Sequence, residues 1–214
     1  VEPVKLHVKV VIDGPSIAFD FAGSSQQMRG GMNIPISTTW SVVHYAVKCL
    51  MPTEVPFNEG SLAPVEVNAP LGSAVNPRFP AAVGDRHLAS QRLASTVTEA
   101  LQTAAPDRTS AAWFVGWPVL VCESRSPKSG DGVVLLANVA GGAGATDQAD
   151  GADAVDVHMA NCSLIPAEVI ESNYELRVER YALISESAGA GRHRGGMGIR
   201  ADYRNISDQP LRFL

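Results

Sequence analysis

The chain opens on an alternation. In VKLHVKVVIDGPSIAFDFAG, apolar and polar residues alternate on both sides of DGPS, the period of a strand with one face on a core. The pattern predicts two strands joined by a tight turn at Asp13–Gly14. The second strand runs through Ile17, Phe19 and Phe21 and ends at Gly23. Then the period changes. Across STTWSVVHYAVKCLM, Trp40, Val43, Val47 and Leu50 recur at helical spacing, with Ser37 or Thr38 placed as the N-cap. Three prolines and a glycine in PTEVPFNEGSLAP break that pattern. VEVNAP reads as a short strand and LGSAVNPRFPAAVG as loop. A second helix follows in LASQRLASTVTEALQTAAP, striped by Leu88, Leu93, Val97 and Leu101, with Pro106 just past its end.

The later half is richer in strands. WPVLVCES and GVVLLANVA flank the polar RSPKSGDG and predict a hairpin. AVDVHM alternates like a strand, PAEVIESNY reads as a short helix opened by Pro166, and LRVERYALI as a strand. SAGAGRHRGGMG is a glycine-rich loop, and IRADYRNISDQPLRFL predicts a last hairpin. No repeat and no linker composition interrupts residues 1–214, which read as one region without an internal boundary. The class is α+β, with mixed hairpins and sheets and two principal helices.

Composition narrows the partners. The 214 residues are 45% hydrophobic and 18% charged, with a net charge of -5 and no Lys/Arg cluster, which argues against nucleic acid as a partner. Apolar runs are too short to span a bilayer, and the first residues lack the basic-then-apolar pattern of a signal peptide. Cys49, Cys122 and Cys162 are scattered, without C-x-x-C spacing; they read as small buried hydrophobes in a reducing cytoplasm.

Candidate chemistry centres on AGGAGATDQADG, Ala140–Gly151, which holds four of the 19 glycines. A phosphate loop of the Walker type ends in Lys and Ser or Thr; this one has no Lys and carries Asp147 and Asp150. A dinucleotide-binding turn leads straight into a helix, and no helical pattern follows here. A flexible loop near a site and a plain surface loop both stay open. His158 sits inside an apolar alternation, His193 between Arg192 and Arg194, and His7, His44 and His87 are isolated. No H-E-x-x-H, Ser-x-x-Lys or G-x-S-x-G motif is present.

The motifs say more in their order. FDFAGSSQQMRGGMNIPISTTW resembles the DFSGSSPQVRGNINAP segment of the hydantoinase B/oxoprolinase family. VPFNEGSLAPVEVNAPLGSAVNPRFPAAVG, SQRLASTVTEAL, GGAGA, DGADAVDVHMANCSLIPAEVIE, YELRVERYAL and SAGAGRHRGGMGI follow in the family's order and spacing along nearly the whole chain. The resemblance is to the middle-to-late part of a B-type subunit, so the chain is expected to be part of a larger multi-chain fold and inactive alone. It implies an ATP-dependent enzyme that opens cyclic amides such as hydantoins, lactams or 5-oxoproline. ATP and Mg2+ would be bound mainly by a hydantoinase A-like partner. A companion chain would carry the N-terminal part that binds a divalent metal, with no metal ligand on this chain. Ketone carboxylation of the acetone or acetophenone type, or a non-catalytic scaffold role, are the alternatives.

Carried over residue by residue, His158 and Asn161 match the family's H-M-x-N and are the expected catalytic pair. Asn33, Asn76, Ser90, Gln91, Gly141, Gly142, Gly144 and Arg194 match positions expected to meet substrate. Where the family has G-N-V-E-T-S-Q-R this chain has GDRHLASQR, and AAWFVGWPV replaces a polar stretch. These departures imply either a bulkier apolar pocket lined by Trp113, Phe114 and Trp117, or a structural copy.

Overall fold

The computed structural model describes residues 3–213. They gather into two compact units: one reaches to Val115 and takes in Thr146–Gln148, the other holds Gly116–Ala145 and the chain from Ala149 onward. SAAWFVGWPVL, around the division, is apolar and has no linker composition.

In the first unit, β1 (Lys9–Asp13) and β2 (Ser16–Asp20) pair antiparallel with Asp13 opposite Ser16. The turn is therefore Gly14–Pro15, one residue later than the alternation placed it. Gly14 takes φ +54°, open to glycine, and Pro15 keeps the next φ negative; those signs are those of a type II′ hairpin turn. β3 (Val65–Asn68) adds to β2 in parallel, so the sheet order is β1-β2-β3. Phe19 and Phe21 are fully buried, as the period of two requires.

Two helices pack on each other in this unit. α1 (Ile36–Leu50) starts at Pro35, whose carbonyl accepts from the N–H groups of Thr38 and Thr39. Ser37 and Thr38 thus lie inside the first turn, not at the cap. The buried stripe is Thr39, Val42, Val43, Ala46 and Val47, rotated from the predicted face, with Trp40 and Leu50 half-buried. The Thr39 hydroxyl donates to the Val75 carbonyl at 2.7 Å, which lets a polar residue sit in that stripe. A short helix, α2 (Glu59–Leu62), falls inside the proline-broken segment. It rests on a reciprocal cap between Asn58 and Ser61, a signal that hydrophobic periodicity does not carry. α3 (Arg86–Gln102) buries Leu93, Val97 and Leu101 as the stripe predicts.

In the second unit, β4 (Val119–Arg125) and β5 (Gly132–Asn138) form the predicted hairpin. α4 (Ala167–Asn173) follows Pro166. β6 (Leu176–Leu183) pairs antiparallel with β7 (Ile199–Asn205), and β8 (Arg212–Phe213) joins the free side of β4. IRADYRNISDQPLRFL is therefore not a hairpin: its two ends go to different sheets, and Leu214 lies outside the described residues. Local alternation marks a strand but not its partner. Cys122, Leu135, Ala137, Ile170 and Leu176 form the core here. All three cysteines are free; Cys122 is buried as expected, but Cys49 and Cys162 are exposed, because they fall outside the buried faces. Among the described residues no helix is long and apolar enough to cross a membrane.

Candidate functional site

The glycine cluster is a backbone crossing. Gly141 exchanges both hydrogen bonds with Val155 at 2.9 Å, the Ala143 N–H donates to Ala152 at 3.0 Å, and the Gly196 N–H donates to Ala143 at 2.8 Å. The Gly151 N–H donates to the Arg194 carbonyl at 2.7 Å. Three stretches of chain thus lie closer together than side chains permit. A Cβ on Gly142 would overlap the Gly196 carbonyl, one on Gly151 the Ala143 carbonyl, and one on Gly196 the Ala152 carbonyl. Gly141 and Gly144 are buried in the same stretch. AVDVHM is not a strand, contrary to its alternation. Left-handed φ at Ala154 (+53°) and Met159 (+56°) breaks the extended chain and leaves only the bridge at Val155.

This arrangement does not suit a polyphosphate. A phosphate cradle needs free backbone N–H groups, whereas those of Gly141, Ala143, Gly151, Gly195 and Gly196 are used within the crossing and its neighbouring loop. The basic loop is likewise engaged. Arg194 forks onto Asp153 at 2.7 and 3.2 Å, donates to the Gly195 carbonyl at 2.9 Å, and lies 3.6 Å from Asp150. The Met197 N–H also donates to Asp153, at 2.7 Å. The hydrogen bond from Arg194 holds the Asp153 carboxyl below its ordinary range. Asp153 was invisible to the sequence reading, since an aspartate in a polar loop has no periodic signal. Arg194 ties the two sides of the crossing together.

His158 is only 4% exposed, and Asn161, just beyond it, is exposed. Burial pushes the His158 imidazole down to about 4, so the ring is neutral at pH 7. Between its ordinary value of 6.5 and 4, the unfolded chain binds a proton that the folded chain refuses. Stability should therefore fall with acidification across that window, by up to about 3 kcal/mol at 1.36 kcal/mol per unit. Denaturation at pH 7.5 and 5.0 should show the loss in the protein and a smaller one in His158→Gln; equal losses would refute it.

Three of the matched residues of the first unit, Asn33, Asn76 and Ser90, hydrogen-bond neighbouring backbone. Asn33 is fully buried. Its Oδ1 accepts from the Met28 N–H at 2.9 Å, and its Nδ2 donates to the carbonyls of Met28, Gly30 and Ala82 at 2.9, 3.1 and 2.8 Å. Asn76 Nδ2 donates to the Ala69 carbonyl at 2.8 Å, and Ser90 Oγ to the His87 carbonyl at 2.9 Å. Gln91 differs: it is 3% exposed and its Oε1 has no hydrogen-bond partner among the described residues. Asn33, Asn76, Ser90 and Gln91 belong to the first unit; the glycines, His158, Asn161 and Arg194 belong to the second. Trp113 and Phe114 fall in the first unit and Trp117 in the second, and none lines either cavity below.

Each unit has a cavity. That of the first unit, about 680 Å³, is bordered by α1 residues His44, Tyr45, Lys48 and Cys49 and by Phe57 and Leu62. That of the second, about 370 Å³, is bordered by Asn138, Ala154, Asp156, Cys162, Ser163 and Leu164. Among the described residues, no three His, Cys, Asp or Glu side chains come together in a way that could hold a metal ion.

Comparison with known proteins defines the class. The family model for hydantoinase B/oxoprolinase matches residues 1–213. The chain is 32% identical over 219 residues to a 5-oxoprolinase of Pestalotiopsis fici, covering 99% of this chain and 16% of that protein. The crystal structure of the ATP-dependent caprolactamase from Pseudomonas jessenii superposes with a TM-score of 0.82 at 28% identity, covering 92% of this chain and 35% of that one. A nucleotide-free acetone carboxylase superposes with a TM-score of 0.84 at 15% identity, over 98% of this chain and 29% of that one, a likeness of fold. The fold is thus one part of larger multidomain enzymes, and the chain spans about 16% of the length of the oxoprolinase it matches. The chain belongs to the hydantoinase B/oxoprolinase family.

Proposed function

We propose that this chain forms part of an ATP-dependent enzyme that opens cyclic amides of the hydantoin, lactam or 5-oxoproline type. The observation that carries the reading is the match to the caprolactamase over 92% of the chain at 28% identity. The 32% identity to a 5-oxoprolinase supports it. The chemistry is coherent. Amide resonance makes the carbonyl carbon a poor electrophile, and transfer of a phosphoryl group from ATP to its oxygen removes that protection. Water then adds at the carbon, the C–N bond breaks as nitrogen takes a proton, and a second water releases inorganic phosphate from the acyl phosphate. On this reading a hydantoinase A-like partner binds ATP and Mg2+, and a companion region holds the divalent metal. The complex works in the cytoplasm. His158, neutral at pH 7, acts as a hydrogen-bonding group together with Asn161.

A scaffold role is the second reading, favoured by the hydrogen bonds that tie Asn33, Asn76 and Arg194 to neighbouring backbone or carboxylate. One experiment addresses both. The assembled enzyme is assayed for ring opening of hydantoin, 5-oxoproline and caprolactam with and without ATP and Mg2+. Turnover is expected only with ATP, and His158→Ala or Asn161→Ala should lower it at least about tenfold. Ring opening at an equal rate without ATP would sink the proposal. Unchanged turnover in both variants would assign the chain to scaffolding. ATP use that depends on bicarbonate and a ketone would instead indicate carboxylation.

A further inference from the structure

We propose that the cavity of the second unit is a binding site for the N–H group of a cyclic amide, with Asp156 as the acceptor. The inference deepens the ring-opening reading and rests on it. At about 370 Å³ the cavity lies at the lower end of ligand-pocket sizes and suits a small ring. Its wall is mixed: Ala140, Val155 and Leu164 supply apolar surface, and Asn138, Asp156 and Ser163 supply polar groups. That combination fits a ring that is apolar along its methylenes and polar at one edge.

Asp156 is the distinctive member. Its Oδ1 accepts from the Val157 N–H at 2.9 Å, which fixes the carboxylate to its own backbone. Its Oδ2 is buried with no hydrogen-bond partner among the described residues. A buried carboxylate oxygen without a donor is costly, so a ligand that brings a donor gains more here than in water. Asp156 itself borders the cavity, so a donor held at that wall lies beside this side chain. A cyclic amide holds its N–H and C=O cis, on one edge of the ring. With the N–H on Asp156, the carbonyl faces donors of the Asn138 or Ser163 type. The adjacent Ala154 adopts a left-handed φ of +53° and is held by its N–H to the Met197 carbonyl at 2.9 Å, so the wall is shaped by the crossing itself.

Cys162 provides the readout, because it lines the same cavity and is exposed. In the assembled enzyme, alkylation of Cys162 by iodoacetamide is followed by peptide mass spectrometry, with Cys49 as the internal reference. Saturating 2-pyrrolidinone should slow Cys162 alkylation at least about fivefold and leave Cys49 unchanged. N-methylpyrrolidinone, the same ring without the donor, should give no protection. Asp156→Asn keeps the oxygen that accepts from Val157 but puts an NH2 in place of the free acceptor. It should abolish protection while Cys162 still alkylates at its unliganded rate. Equal protection by both rings, or protection that survives Asp156→Asn, overturns the proposal even if ATP-dependent ring opening stands. Protection that requires the N–H and Asp156 upholds the site even if no ring opening is found.

Discussion

Replacing Gly196 with alanine is expected to destabilise the second unit by about 3 kcal/mol, near the upper end for overpacking a close-packed region. The reason is geometric. A methyl at this position would fall on the Ala152 carbonyl and press on the Ala143 N–H, and both are backbone groups tied into the crossing. Side chains can rotate away from an intruder, but hydrogen-bonded backbone cannot. Gly142→Ala should behave alike, since its methyl would meet the Gly196 carbonyl. Gly189→Ala is the control: nothing lies within 4 Å of its added methyl, and its stability should stay within about 0.5 kcal/mol of the parent. Urea denaturation followed by circular dichroism checks the three together. If Gly196→Ala and Gly189→Ala unfold at the same midpoint, the crossing is not what holds this region.

Asn33→Ala should cost about 2 kcal/mol, through groups left without partners rather than through lost packing. The substitution strands the Met28 N–H and withdraws a donor from three carbonyls, of which those of Gly30 and Ala82 lie in exposed residues that water can reach. That access keeps the cost below the sum of the bonds. Asn33→Asp should be no better. It keeps the acceptor for Met28 but turns a charged oxygen toward the carbonyls of Met28, Gly30 and Ala82. Limited proteolysis should then cut near residues 28–33 in both variants faster than in the parent. A parent-like cleavage rate with a parent-like midpoint would remove Asn33 from its structural role and return it to the substrate.

The two asparagines show how far family resemblance reaches. Motif order points to Asn33 and Asn76 as positions that matter, and in the structure each side-chain amide donates to neighbouring backbone carbonyls. A motif marks a residue type that the fold demands at a place, and a buried amide satisfies that demand as readily by capping a loop as by touching a substrate. Gln91 stood beside them in the motif with no sign that it differs. Only burial together with an unpartnered oxygen distinguishes it.

The sequence by itself determined the α+β class, the first and second hairpins, the stripe of α3 and the family, because each rests on a local period or on the order of motifs. Tertiary structure alone decided which strands β7 and β8 pair with and which face of α1 is buried. That β7 pairs with β6 while β8 joins β4 depends on contacts distant along the chain, which a period of two cannot encode. The face that α1 buries includes Thr39, whose hydroxyl donates to the Val75 carbonyl, a contact distant along the chain. The glycines of Ala140–Gly151 carried the same letters whether they cradled a phosphate, formed a turn or crossed another chain segment. What the letters do not carry is that the Gly196 and Ala143 backbone lies where a Cβ on Gly142 or Gly151 would have been.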